Sequence, residues 1–544
     1  MRRLLLPALC AAALAAAARG EGLTFLGRSA DTWAHELSDD RPAVRRSAAF
    51  ALGRIGGEAL IATPELETCL HDPDPGVRAM SAEALGDIVL ALHGGGQTVW
   101  EAAAPALRKA LAGDEDPRVR GAAAYALGTF GERAAGEVPA LREAMRDPDP
   151  RVRRSAARAA GRLGEAAADA VNDLCVLLKD PDTLVRRDAV TALGALGSPA
   201  ARSAVRPLLS LAKDEAQGVV RRAALDKLVG LVTADDRAGA AALYPLLRGD
   251  DPDAARSAAF VLANMGGPDS APAVPVLQEL LAGEDDQMRA LAAAALGSMG
   301  PVAAPAVLDL AKALTEARNA AVRRNAALAL AHIGPKARDA MPLLTKALAP
   351  SELREIRMFV AEAIMKIGSP ANDDAVPALL HVVESDPDAE VRNSCAYCVA
   401  QRVDHETNGI SKTFAKVIEE TEPETLALRY EAAWHLAAHL QSKAPDRAVD
   451  LLYDLLRDRR LSGYSGTSVR VSGAGAESEA GRAQVTTVRP ASSSSIRVEA
   501  ARALGWLGRK ANRPEIVKAL REAQKEDDLA LQKAASEALA KIAP

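Results

Sequence analysis

Asp147-Pro-Asp-Pro-Arg-Val-Arg-Arg-Ser-Ala-Ala-Arg-Ala-Ala-Gly-Arg-Leu-Gly164 is the stretch that decides how this chain is built. Asp149 reads as a helix N-cap, Pro150 suits the first turn, and Gly164 is a stop. Small and apolar residues recur between them at helical spacing. The same pattern returns as DPDPGVRAMSAEALG from Asp72, DEDPRVRGAAAYALGTFG from Asp114 and DPDTLVRRDAVTALGALG from Asp180. Aligned on the Arg of the Val-Arg pair, the units fall at Arg45, Arg78, Arg120, Arg153, Arg186, Arg221, Ala255, Arg289, Arg323, Arg357, Arg392, Arg429, Arg497 and Gln532. Most steps are 33 to 35 residues, with exceptions of 42, 37 and 68. A fixed period of this length marks stacked two-helix units, none of which buries its apolar face alone. Fourteen such units leave no room for a separate catalytic domain.

Composition agrees. Hydrophobic residues make up 49% of the 544, charged residues 26%, and aromatics only 3%. Ala, Leu and Val cannot fill the wide core of a large α/β enzyme, but they can fill many small cores between close helices. The formal net charge of -5 provides no global basic field for a phosphate backbone, so nucleic acid is not the expected partner.

The pattern D-P-x-x-VR-x-x-A-A-x-A-L-G-x-x-G resembles HEAT repeats, in the short bacterial form also found in phycobilin lyases. The resemblance covers nearly all of the chain after its N-terminal segment. It implies an all-α fold, a right-handed α-α superhelix of about 14 two-helix repeats. In that family the recurring Asp and Arg form a ladder between repeats. Carried onto this sequence, the ladder pairs Arg153 with Asp147 or Asp149. The same role then falls to Arg45, Arg78, Arg120, Arg186, Arg221, Arg289, Arg323, Arg357, Arg392, Arg429 and Arg497.

The resemblance also places the second helix of each unit on a concave binding surface. At 100° per residue from the aligned Arg, the apolar positions are -1, +3, +6, +7 and +10, so +1, +5 and +8 lie opposite. Position +8 is nearly always Gly or Ala, which leaves +1 and +5 to supply chemistry. The +5 column holds five of the sixteen aromatic residues: Phe50, Tyr125, Phe260, Tyr397 and Trp434. Tyr430 at +1 and Trp506 at +9 join them near the C-terminal end. Exposed rings flanked by charge suggest a recognition groove for a protein or peptide. The +1 column is basic in its middle, with Arg154, Arg187 and Arg222, and with Arg158 and Arg162 it forms a positive strip suited to carboxylates.

Constellations for catalysis are few, and no cofactor is expected. Cys395 and Cys398 form a CxxC, but at positions that hold Ala in sister units, so they read as small core residues. Glu431, His435 and His439 repeat every four residues and are a candidate metal stripe, against which stands the inward direction of the two His positions. His35-Glu36 and His405-Glu406 fall outside the repeating helix, unlike the His-Glu pairs of deoxyhypusine hydroxylase-like enzymes. Neither a nucleophile elbow nor a Gly-rich phosphate loop is present.

Domain organisation follows. Residues 1–20 carry Arg2 and Arg3, an apolar run from Leu4 to Ala18, and small residues beyond, which is the plan of a secretory signal peptide. Residues 21–460 form about twelve repeats, 461–495 a flexible Gly/Ser-rich loop, and 496–544 two further repeats. The expectation is an exported protein of the bacterial envelope, periplasmic or secreted, with no integral membrane segment once the signal is cut. It is a non-enzymatic scaffold or adaptor; the alternative is a lyase or ligand-handling protein like the phycobilin lyases.

Overall fold

The computed structural model describes residues 23–92, 97–214, 216–368, 373–400, 409–457, 467–470, 484–487 and 493–543. The N-terminal apolar run, Gly94–Gly96 and His405-Glu406 lie outside them. Fourteen helices carry the aligned Arg position: α1 Pro42–Ile55, α2 Pro75–Ala91, α3 Pro117–Thr129, α4 Pro150–Leu163, α5 Thr183–Leu196, α6 Gly218–Leu231, α7 Pro252–Met265, α8 Asp286–Ser298, α9 Ala320–Ile333, α10 Arg354–Ile367, α11 Ala389–Ala400, α12 Leu426–Leu440, α13 Ser493–Leu507 and α14 Leu529–Ile542. We call them the ladder helices. The chain divides into two compact units, Met1–Val261 and Leu262–Pro544.

One repeat shows why the sequence folds this way. The Asp149 carboxylate accepts from the Arg151 amide, satisfying a free donor at the start of α4. Gly164 ends the helix at φ 59°, a conformation that favours glycine. The chain then makes a 3₁₀ turn over Gly164–Ala170 before the short helix Val171–Leu177. That turn was not legible in the repeat pattern; Ala167 and Ala170, both fully buried, pin it against the layer beneath. Val152, Leu163, Leu174 and Leu177 close a small core between the two layers. Each buried Leu or Val contributes ~1.5–3 kcal/mol, and the repeat supplies such residues unit after unit.

Within each unit, consecutive ladder helices pack through glycine. A Cβ placed on Gly128 would lie 2.6 Å from the Cα of Ala159, and one on Gly161 would lie 2.9 Å from that of Ala192. In the second unit the same contact joins Gly297 to Ala329 and Gly505 to Ala538. These glycines occupy +8 and their partners +6 of the next repeat. The expectation that +8 faces solvent is therefore corrected. A ladder helix is flanked by two others and backed by its own first helix, so three sides are covered. Glycine and alanine carry little hydrophobic weight, so a contact built from them looks like an open face on a helical wheel. The exposed wedge is narrower and rotated, centred on +1, +2, +5 and +9.

The long step between Arg429 and Arg497 is an insertion inside one repeat. The helix Asp446–Arg457 is the first of the pair and α13 the second, since Arg497 Nε on α13 donates to the carbonyl of Leu456 at 2.7 Å. Most of residues 461–495 lies outside the described residues. Two parts do not. Strands β1, Thr467–Arg470, and β2, Gln484–Thr487, pair antiparallel with Thr467 opposite Thr487. Ser493 already begins α13, so the helix starts before the expected end of the loop.

Candidate functional site

The ladder is built from sequence-distant carboxylates. Arg153 donates from Nε and Nη2 to Asp180 of the following repeat at 2.6 and 2.9 Å, and from Nη1 to the carbonyl of Asp147 at 2.9 Å. Asp147 and Asp149 thus do not supply its carboxylate partner. Asp147 instead receives Arg120 of the preceding repeat at 2.7 and 2.9 Å, and accepts from the Asp149 amide at 2.8 Å. Arg45 with Asp72 and Arg78 with Asp114 repeat the arrangement. In the second unit Arg357 pairs with Asp386, while Arg323, Arg392 and Arg497 pair with Glu352, Glu420 and Glu526. Arg186 holds the Asp180 carbonyl at 2.8 Å, Arg289 the Leu281 carbonyl at 3.2 Å and Arg429 the Glu422 carbonyl at 3.3 Å; Arg221 is half-buried. Where the next repeat supplies a carboxylate, the guanidinium is a strut from one inter-helix turn to the next. The groups are consumed in structure.

The ladder-helix face carries what remains. Among the predicted aromatic positions only Phe50 is well exposed, at 43%, and Phe25 meets its ring edge-on at 5.8 Å. Tyr125, Phe260, Tyr397, Tyr430, Trp434 and Trp506 are half-buried. The Tyr125 hydroxyl donates to Asp87 at 2.6 Å, and the Arg162 guanidinium lies 4.6 Å from its ring centre. Trp434 and Trp506 meet edge-to-face at 5.5 Å. Tyr125 and the Trp434–Trp506 pair therefore bridge neighbouring helices while staying partly open to water.

The basic strip is also partly spent. Asp188 takes Arg154 at 3.1 Å and Arg187 at 3.0 Å, while Arg222 faces Asp251 and Asp253 at 3.7 and 3.6 Å. Arg158 and Arg162, by contrast, are exposed and have no carboxylate partner among the described residues. The +9 position, from which the sequence reading took only Arg162 and Trp506, also supplies Arg54, Asp87 and Lys366. Its signal lay in the charged residues that recur down that column.

The metal stripe does not form a site. The His435 and His439 rings stack at 4.2 Å with 34° between planes, and Phe414 meets His435 edge-on at 5.0 Å. Ring nitrogens lie in the ring planes, so stacked imidazoles do not aim at one point. Among the described residues no three His, Cys, Asp or Glu side chains are placed to hold a metal. Burial, with His439 beside it, pulls His435 down to about 4, and burial pushes Glu431 up to about 7. Cys395 and Cys398 are buried; the Cys398 thiol donates to the Ala361 carbonyl at 3.2 Å, and burial raises both thiols above their usual range. His35 and Glu36 end the helix Ala30–Glu36, where Glu36 pairs with Arg28.

Comparison with known proteins matches this geometry. A solved structure of Kap95p with RanGDP shares 13% identity at a TM-score of 0.50, covering 95% of this chain and 79% of that one. Kap121p bound to RanGTP shares 13% at a TM-score of 0.43, over 94% of this chain and 56% of that one. Serine/threonine-protein kinase 36 of Pongo abelii is 33% identical over 117 residues, so the chain spans only 8% of that relative's length. HEAT repeats match over 30–127, 89–147, 104–175, 138–229, 240–313 and 307–400, more than half of the residues present. Stacked helix pairs, glycine contacts, the Arg–Asp struts and this match lead to one conclusion: the chain belongs to the HEAT-repeat family.

Proposed function

We propose that this protein is an exported, non-enzymatic scaffold that binds protein or peptide partners along its ladder-helix face. The observation that carries the reading is the composition of that face. Positions +1, +5 and +9 hold half-exposed aromatic rings on several helices and, on α4, two arginines without a carboxylate partner among the described residues, while the ladder and the glycine contacts account for the recurring remainder of each repeat. Rings with one side in water and cations with no counter-ion are what partner anchors are made of. Complexes with Ran, Nup53p, Ste12p and Pho4p are known for the Kap95p and Kap121p solenoids. Protein binding by this chain is the corresponding proposal.

Export rests on Arg2, Arg3 and the Leu4–Ala18 run. No helix among the described residues is long and apolar enough to cross a membrane. Phe25 packs on Trp33 at 6.5 Å, so a cut between Arg19 and Thr24 leaves the first repeat complete. N-terminal sequencing from the native host is expected to begin in that window; an intact Met1-Arg2-Arg3 on soluble cytosolic protein would refute export. Affinity purification from the envelope fraction with mass spectrometry is expected to return a stoichiometric protein partner, and a chain recovered alone at native abundance would count against the scaffold.

A further inference from the structure

We propose that the ladder-helix face of the first unit, across α4, α5 and α6, is a docking site for an extended carboxylate-rich peptide segment, gripped by Arg158 and Arg162. This deepens the scaffold reading and rests on it. Six cationic side chains lie on this face of α4 to α6: Arg154, Arg158, Arg162, Arg187 and Lys227, and Arg222, which is already turned to Asp251 and Asp253. The first five have two carboxylates beside them on these helices. Asp188 is buried and already divided between Arg154 and Arg187. Asp226 is exposed and accepts from the Ser257 hydroxyl at 3.0 Å. The protein as a whole is acidic at -5, so these five cations against two carboxylates are a local exception.

The arrangement is open. Arg158 is exposed, and Arg162 lies over Tyr125, leaving its outer edge to solvent. On the neighbouring helix the equivalent positions are Thr191 and Ala195, too short to screen the guanidiniums. The Lys227 stem lies over Gly194, since a Cβ there would come within 2.4 Å of Lys227 Cδ, and this brings its ammonium to the same surface. Spacing selects the ligand. Residues one turn apart on a helix stand ~5–6 Å apart, and alternate side chains of an extended segment stand ~6.6 Å apart. Two carboxylates at alternate positions of a strand can therefore each meet one guanidinium in the planar two-bond geometry that arginine favours. A nucleic acid would need a longer basic track than α4 to α6 provides, and Asp87, which accepts from the Tyr125 hydroxyl, adds a carboxylate at its α2 end.

Fluorescence anisotropy on the full mature chain tests this. The probe is a labelled twelve-residue peptide of alternating Glu and Ser; the comparisons are its Gln/Ser analogue, a phosphoserine analogue and a single-stranded oligonucleotide of equal charge. The Glu peptide is expected to bind and the Gln peptide to bind at least tenfold more weakly. Arg158→Ala with Arg162→Ala should cost at least tenfold, and Arg118→Ala with Arg151→Ala, each of which removes an arginine already paired to an aspartate, should change affinity less than twofold. Arg158→Ala alone, which removes no contact of the fold, should cost about threefold and covers any loss of folding through the Arg162–Tyr125 contact. Binding insensitive to Arg158 overturns the inference. Tighter binding of the phosphoserine peptide or the oligonucleotide at equal charge overturns the carboxylate assignment. The scaffold reading is judged separately, by where the captured native partner touches the chain.

Discussion

Arg151 and Arg153 stand two residues apart and do different work. Arg151 pairs with Asp149 on the surface, with 61% of its side chain exposed, whereas the Arg153–Asp180 strut is 13% and 5% exposed. Screened surface pairs contribute ~0–1 kcal/mol, while removing one partner of a buried pair strands a charge. Arg153→Met is therefore expected to lower stability by about 2–3 kcal/mol in urea unfolding and Arg151→Met by less than ~1 kcal/mol. Equal effects would mean the ladder is ornamental. Gly128→Ala should destabilise by about 1–3 kcal/mol, because the new methyl meets backbone rather than a movable side chain. A third residue-scale expectation concerns pH. His435 sits near 4 in the fold against 6.5 in the free side chain, so its burial favours folding above 6.5 and that contribution is lost as pH falls toward 4. Glu431 runs the other way: held up to about 7 against 4.5, it opposes folding increasingly as pH rises from 4.5 to 7. Glu431→Gln should thus raise the urea midpoint at pH 8 and leave it unchanged at pH 4; the same shift at both would show that its charge is not the cause.

At the scale of elements, the repeat was readable because Asp, Pro, Val-Arg and Gly each meet a local need in every unit: a cap, a first turn, a strut and a stop. The orientation of the ladder helix was less readable. Large apolar residues dominate a helical wheel, yet the close backbone approaches between ladder helices are made by Gly128, Gly161 and Gly297, which have no side chain to count. The same omission made Tyr125 and Trp434 look freely exposed. The Arg158–Arg162 pair was legible as a basic strip, but which arginines of that strip are neutralised depends on Asp188, Asp251 and Asp253 arriving from neighbouring repeats. The insertion in the thirteenth repeat follows from the same logic. Arg497 ties α13 to Leu456, so the inserted segment leaves and returns at one place. Replacing residues 462–491 with a five-residue Gly/Ser link should leave the thermal midpoint nearly unchanged, since loop length alters closure entropy slowly. A fall as large as that from deleting a repeat would show the segment is part of the packing.

Along the whole chain the ladder is uneven. Where Asp72, Asp114, Asp147 and Asp180 supply carboxylates, the corresponding positions later hold Gly283 and Ala317, and Ala255 replaces the arginine. Solenoid stability is close to a sum of repeat and neighbour terms, so these repeats lack a term that others have. Amide exchange in α7 and α8 should be at least tenfold faster than in α3 and α4, as read by mass spectrometry. The central claim is that partners are held on the ladder-helix face, and lysine placement allows it to be tested directly. Lys227 and Lys366 lie on ladder helices, whereas Lys109, Lys179, Lys312 and Lys346 belong to the first-helix layer, and all six are exposed. Lysine cross-linking and mass spectrometry of the complex captured from the envelope should join the partner to Lys227 or Lys366. Links confined to Lys109, Lys179, Lys312 and Lys346 would place the partner on the opposite layer and contradict the account.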